Sequence, residues 1–354
     1  MKTETMEQSH KGEALQNQAQ QDFLDYIHTL QILKLRLKGI DEDDYVYINF
    51  HDVIEKRFFK YPTYDAKKNI QHMVQIGAID IKILRSPRTG FNMFWYKGLR
   101  PGAFRPELVP VEFQKYGYVT TFMKNNLRKV SIKSDVPLND YFLNFIKHKD
   151  KYLDLFFKRD DFSGRIHTPV TSLPETIRKR LMIDGEDVRS IDVATMQPLV
   201  LGLILKTKIG KNQFTTWIES GEDVYLKISE RLGLLNRDNG KKRFFEIIFA
   251  PASNELSKLF GNEAWIRWIN EYKTILINEN KHSKKKRHSN LAWILQKTEV
   301  EIMQKVWERL YINSIPFLTV HDEIIVKKTD LKASLEIMKS VFDSHFPFYK
   351  LNNK

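Results

Sequence analysis

The 354-residue chain contains no cysteine, which excludes disulfides, thiolate zinc sites and cysteine nucleophiles. Long apolar runs are missing too. The longest, "PLVLGLIL" at 198–205, is far too short to span a bilayer. The opening stretch "MKTETMEQSHKGEALQNQAQQ" lacks the apolar core of a signal peptide, so a cytoplasmic location without membrane contact is expected. No internal repeat is visible. Negative charge is also short, with 57 Lys+Arg against 44 Asp+Glu and a formal charge of +13. Such an excess favours a polyanionic partner, nucleic acid ahead of an anionic membrane. The alternative is a soluble protein that is simply basic.

What is present argues for a folded chain. Hydrophobic residues make up 42% and aromatics 12%, and the length suits two or three domains. Residues 1–44 read as a polar tail followed by a helix over about 22–38. In residues 45–98, two helices (47–59 and 64–79) flank a turn at Pro62. Two strands (79–87 and 91–99) then enclose the turn "RSPRTG". Helix, helix and basic hairpin resemble a winged helix-turn-helix, a family that places its second helix in the major groove. A dimerisation or purely structural module shares that order. Residues 99–163 interleave Lys and Arg with Phe and Tyr, as in "YFLNFIKHKDKYLDLFFKRDD". That pattern suits phosphates and stacked bases, or equally an amphipathic connector with a solvated basic face. The run "NENKHSKKKRHSN" at 278–290 reads as a basic loop able to meet a phosphate backbone.

Two aspartates carry the chemical signal. "DVRSIDV" alternates like a strand and delivers Asp192 at its end, before the apolar helix "QPLVLGLIL". Asp322 and Glu323 lie in "LTVHDEIIV", where an acidic pair is costly unless compensated. Carboxylates without a cysteine or histidine cluster suit hard divalent cations. Two aspartates holding magnesium are a common arrangement for phosphoryl transfer, with two ions about 4 Å apart. Between them, Arg237, Lys241, Phe245 and Phe249 recur every fourth residue, two cations followed by two aromatics on one broad helix face. Such a face could grip a triphosphate and cover a base; a surface helix with two core phenylalanines has the same spacing.

Five segments in order resemble the family A DNA polymerases over roughly residues 164–330: "GRIHT", "IRKRLMIDGEDVRSIDVATMQPLVLGLI", the R-x3-K-x3-F-x3-F helix, "LAWILQKTEVEIMQKVWERL" and "VHDEIIV". The resemblance implies an α+β fold over 164–354, with a right-hand palm of antiparallel strands on helices and helical fingers. The winged-helix-like 45–98 and the basic connector 99–163 would precede it, the latter replacing the family's long thumb. It implies Asp192 and Asp322 as ligands of two Mg2+ ions (Mn2+ as the substitute) and Glu323 as their catalytic helper. Arg237 and Lys241 would bind the β- and γ-phosphates, Phe245 and Phe249 the base and sugar. Arg165, Arg178, Gln296 and His321 would touch the primer-template duplex. Two departures bear on sugar choice: Gln197 stands where the family has a carboxylate, and Phe249 where it has a tyrosine.

The implied function is a proofreading-free DNA-directed DNA polymerase that extends a 3′-hydroxyl from nucleoside triphosphates. Its setting would be a phage, mobile element or defence system. The alternatives are an RNA polymerase, primase or terminal transferase on the same scaffold, and a DNA-binding initiator or regulator with a degenerate palm.

Overall fold

The computed structural model describes residues 14–33, 45–48, 54, 58–59, 63–85, 92–109, 115–133, 136–261, 263–284 and 286–354. The fold is mixed α+β. The chain splits into two compact units, Met1–Gln114 with Leu138–Phe156, and Lys115–Pro137 with Phe157–Lys354.

In the first unit, helix α1 (Gln18–Ile32) starts at Asn17, whose side chain accepts from the Gln20 N–H and satisfies one of the orphan donors of a helix start. Phe23, Leu24, Ile27 and Leu30 recur at helical spacing and are buried. The helix expected over 22–38 thus begins earlier, at Gln18. Residues 34–44 lie outside the described residues. Strand β1 (Val46–Tyr47) is followed by α2 (Thr63–Gln75), β2 (Ile79–Arg85) and β3 (Asn92–Gly98). These strands form an antiparallel sheet in the order β1-β3-β2. The second expected helix and the hairpin strands are therefore present. The first, over 47–59, lies largely outside the described residues, and its described start, Tyr47, is in a strand. Pro62 and the turn at 86–91 lie outside them too. Phe23 anchors this core, edge-on to Phe58 and Tyr96 at 5.4 and 5.6 Å between ring centroids.

The chain then contributes α3 (Tyr118–Asn126) and β4 (Val130–Ile132) to the second unit and α4 (Asp140–Tyr152) to the first. From residue 157 it stays in the second unit. That unit begins with the small ladder β5 (Lys158–Arg159) and β6 (Ile166–His167), the single turn α5 (Glu175–Arg178), and strands β7 (Leu181–Ile183) and β8 (Glu186–Val193). Helices follow: α6 (Met196–Ile209), α7 (Gln213–Glu219), α8 (Val224–Arg231), α9 (Arg237–Phe249), α10 (Asn254–Phe260), α11 (Ala264–Tyr272) and α12 (Ser289–Ile312). The chain closes with β9 (Phe317–Val320), β10 (Glu323–Lys327), α13 (Leu331–Phe342) and β11 (Leu351–Asn353). The sheet runs β4-β7-β8-β10-β9, all antiparallel, with β11 added beside β8. Strands β9 and β10 are buried along almost their whole length, while β8 alternates, with Val188, Ile191 and Val193 buried and Asp187, Arg189 and Asp192 less so. No helix among the described residues is long and apolar enough to cross a membrane.

A buried lysine fixes the end of α9. Lys273, 2% exposed, donates its ammonium to the carbonyls of Ile247 and Ala250, the latter at 2.7 Å. These are orphan acceptors of a helix C-terminus, where a cation is favoured. Burial nevertheless pushes its pKa down to about 8 from the ordinary 10.5. The unfolded chain therefore holds more protons than the folded one between those two values, and stability rises with pH across that window. Lys273→Met should abolish this. In thermal unfolding, the wild-type melting temperature relative to the variant should climb between pH 8 and 10.5 and stay flat, at its lowest, below pH 8.

Candidate active site

The stretch "LTVHDEIIV" is a hairpin. Val320 of β9 pairs with Glu323 of β10, leaving His321 and Asp322 as a two-residue turn. His321 takes a left-handed backbone, φ 59°, which turns the chain sharply. Asp322 therefore occupies a turn rather than a strand interior, while Glu323 opens β10. Across the next ladder, Ile324 pairs with Ile191, which brings Asp192 at the end of β8 beside the turn. The Asp322 carboxyl is pushed well above the ordinary carboxylate range by burial, then by the nearby negative charges of Glu299 and Asp192.

Glu299 belongs to this cluster although no motif marked it. It is 1% exposed on α12, and the Arg165 guanidinium grips it with Nη2 at 2.7 Å from Oε1 and 2.9 Å from Oε2. Gln197, near the start of α6, donates its Nε2 to the same carboxylate. That contact fixes the amide orientation, because the reverse would set two acceptors against each other. Gln197 Oε1 is left buried with no hydrogen-bond partner among the described residues. Burial pushes the Glu299 carboxyl up, while Arg165 and Gln197 pull it down. Its signal in the sequence was weak: an acid four residues after Leu295 and four before Met303, on the buried stripe of α12. Gln296 lies on the same helix, one turn before Glu299.

The other two carboxylates have their own cations. Arg178 donates Nη2 to Glu323 at 2.8 Å and Nη1 to the Leu173 carbonyl at 2.7 Å. Lys354, placed by the β11–β8 pairing, sets Nζ 3.6 Å from Asp192 and 3.3 Å from Glu175. A cavity of 280 Å³ lies between Glu175, Arg178, Ser190, Glu323 and Lys354. Asp322 alone of the four forms no ion pair among the described residues. Beside it, burial and then the positive charges of Arg165 and Arg178 hold His321 down to about 4, so it is neutral at pH 7. Its ring lies 6.5 Å from that of His167, which bonds to Asp160 at 3.0 Å.

Helix α9 carries the expected row. Arg237 is held by Asp223 at 2.5 Å and lies 4.9 Å from the Tyr225 ring centroid. Lys241 is exposed and forms no ion pair among the described residues. Phe245 and Phe249 stack with planes 4° apart and centroids 5.9 Å apart, and Phe249 is 44% exposed. Gly240 explains how α9 lies so close to α8, since a Cβ there would fall 1.9 Å from the Tyr225 carbonyl oxygen. Buried Tyr225 joins the two regions: burial pushes its phenol up, opposed by Arg237 and reinforced by Asp322.

The structure thus gathers Asp192, Asp322, Glu323, Gln197, Arg165, Arg178 and His321 around one corner. Arg165 and Arg178, expected on a duplex, are engaged with Glu299 and Glu323. Among the described residues no three His, Asp or Glu side chains form a metal cage. The donors present are carboxylates, oxygen ligands of the kind magnesium takes one or two at a time when substrate phosphates complete its shell.

No family model matches the chain. No curated protein matches it either. Among solved structures it is similar to the POL domain of Pol1 from M. smegmatis in complex with DNA primer-template and dNTP, at 12% identity and a TM-score of 0.43. The match covers 56% of this chain and 46% of that one, so the chain spans under half the length of the structure it matches.

The Arg165–Glu299 pair gives a stability test. Arg165→Met leaves a buried carboxylate unpaired and should cost about 3–5 kcal/mol in denaturant unfolding. Adding Glu299→Gln to that variant should restore most of the loss.

Proposed function

We propose that the second unit is a nucleotidyltransferase of the family A polymerase type, with β8, β9 and β10 as palm and α9 as part of the fingers. It extends a 3′-hydroxyl on primer-template DNA with nucleoside triphosphates. The carrying observation is the charge balance of the four-carboxylate corner. Asp192, Glu299 and Glu323 each face a protein cation within 4 Å, and among the described residues Asp322 does not. A carboxylate so placed calls for a positive charge brought in with the substrate.

Asp192 and Asp322 would hold magnesium. When bound, the metal activates the attacking hydroxyl and stabilises the leaving oxygen. The chain's own residues do the rest. Lys241, exposed and uncommitted to an ion pair, binds the triphosphate. Arg237 joins it by exchanging Asp223 for phosphate, a stronger charge-assisted partner. Phe245 and Phe249 offer a stacked pair to the base and sugar. Glu323, fixed by Arg178, sits beside Asp192 and orients the primer end, with neutral His321, Arg165 and Gln296 lining the duplex. Residues 45–98 and 99–163 supply further nucleic-acid contacts in place of a thumb.

A second reading, use of ribonucleotides, is favoured by Gln197. Its Nε2 is committed to Glu299, and its buried Oε1 lacks a donor among the described residues. A sugar hydroxyl is such a donor, and filling an orphan acceptor is worth about 1–3 kcal/mol.

Primer extension with labelled dNTPs and rNTPs tests both. The wild type should extend in magnesium, Asp192→Asn and Asp322→Asn should lose activity by orders of magnitude, and Lys241→Gln should raise KM about tenfold or more. An inert wild type, or aspartate variants that keep full activity, would refute the first reading. A strict dNTP requirement would refute the second.

A further inference from the structure

The sheet of the first unit has two unlike faces. Antiparallel pairing places Val46 opposite Tyr96 and Ile81 opposite the same residue, and these turn inward, where Val46 and Tyr96 are 2% and 1% exposed. The alternate residues turn outward. Tyr47, Trp95 and Lys82 stand in one row across β1, β3 and β2. In the neighbouring row Lys97 pairs with Asp80, and Tyr45, just before β1, donates its hydroxyl to Asp80 across it. The ammonium groups of Lys82 and Lys97 lie 5.4 and 5.6 Å from the Tyr45 ring centroid. Tyr47 is 40% exposed, and its ring sits 5.8 Å from that of Trp95. The indole Nε1 of Trp95 finds no hydrogen-bond partner among the described residues.

Tyr47, on a two-residue edge strand, is 40% exposed, and beside it the Trp95 ring is half-buried with its Nε1 out of solvent; apolar ring surface left in water carries a hydrophobic cost. Lysines set among those rings keep apolar partners away and attract anions. One class of molecule offers flat apolar surfaces at regular spacing together with negative charge: a nucleic acid with its bases unpaired. A duplex keeps its bases stacked on one another and has none to offer to a flat sheet. We infer that the outer face of β1-β3-β2 is a platform for single-stranded nucleic acid, with bases stacked on Tyr47 and Trp95 and phosphates drawn to Lys82 and Lys97. It narrows the nucleic-acid contact proposed above for residues 45–98 to single strands and rests on none of the residues of the carboxylate corner or of α9.

Fluorescence anisotropy of the full chain tests it, using labelled oligo(dT), oligo(U) and a duplex of about twelve nucleotides. Photocrosslinking with 5-iodouracil in the single strands, followed by peptide mapping, locates the contact. Single strands should crosslink to Tyr47 or Trp95, an unlabelled single strand should compete for that crosslink better than the duplex, and the dT and U arms show which sugar is preferred. Tyr47→Ala should weaken binding about tenfold with an unchanged salt slope, and Tyr47→Phe should restore it. Lys82→Gln should flatten the slope of log affinity against log salt by about 0.7. Crosslinks confined to residues outside the first unit would overturn the inference. So would wild-type affinity in both Tyr47→Ala and Lys82→Gln, the result expected if the rows are only a cross-strand ladder that stiffens the sheet.

Discussion

Mutual repulsion of four clustered carboxylates, two buried and two half-buried, is the constraint around which the second unit is arranged. Asp192, Glu299, Asp322 and Glu323 come from β8, α12, the β9–β10 turn and β10. None would be tolerated in an apolar interior alone. Arg165, Arg178 and Lys354 each answer one of them, and every one of these cations is delivered by a different element. Removing a cation would leave a charge that the fold cannot solvate. The remaining imbalance, at Asp322, is where we propose the metal and its chemistry.

Backbone geometry creates that imbalance. A two-residue turn with a left-handed His321 exposes the end of a hairpin whose strands are otherwise apolar, and the β8 ladder sets Asp192 beside it. Helix α9 depends on equally local features: Gly240 lets it lie against the backbone of α8, Asn236 caps its start by accepting from the Asn239 N–H, and Lys273 closes its end. Arg237 and Lys241 then occupy the first turns of a helix whose dipole favours anions. Tyr225 lies in the fields of both Arg237 and Asp322, so the start of α9 and the carboxylate corner share one electrostatic environment.

The parts legible in the sequence were those set by short-range pattern. The alternation of "DVRSIDV" gave β8 and Asp192, four-residue spacing gave α9, and the hairpin of residues 79–99 gave β2 and β3. What escaped was produced by pairing between distant segments. Lys354 reaches Asp192 only because β11 adds to β8, and Glu299 meets Arg165 across 134 positions of sequence. The ion pairs of Arg165 and Arg178 were hidden for the same reason: side chains expected to face a ligand had carboxylate partners that no local pattern reveals. In the first unit, the row of Tyr47, Trp95 and Lys82 needs the register of three strands, one of them only two residues long.

The most direct test of the account is cation binding at Asp322, the carboxylate of the corner that has no ion pair among the described residues. Mn2+ titration followed by electron paramagnetic resonance, with a non-hydrolysable nucleoside triphosphate present, should show protein-dependent binding in the wild type. Asp322→Asn and Asp192→Asn should lose that binding. Titrations of both variants that match the wild type would contradict the account.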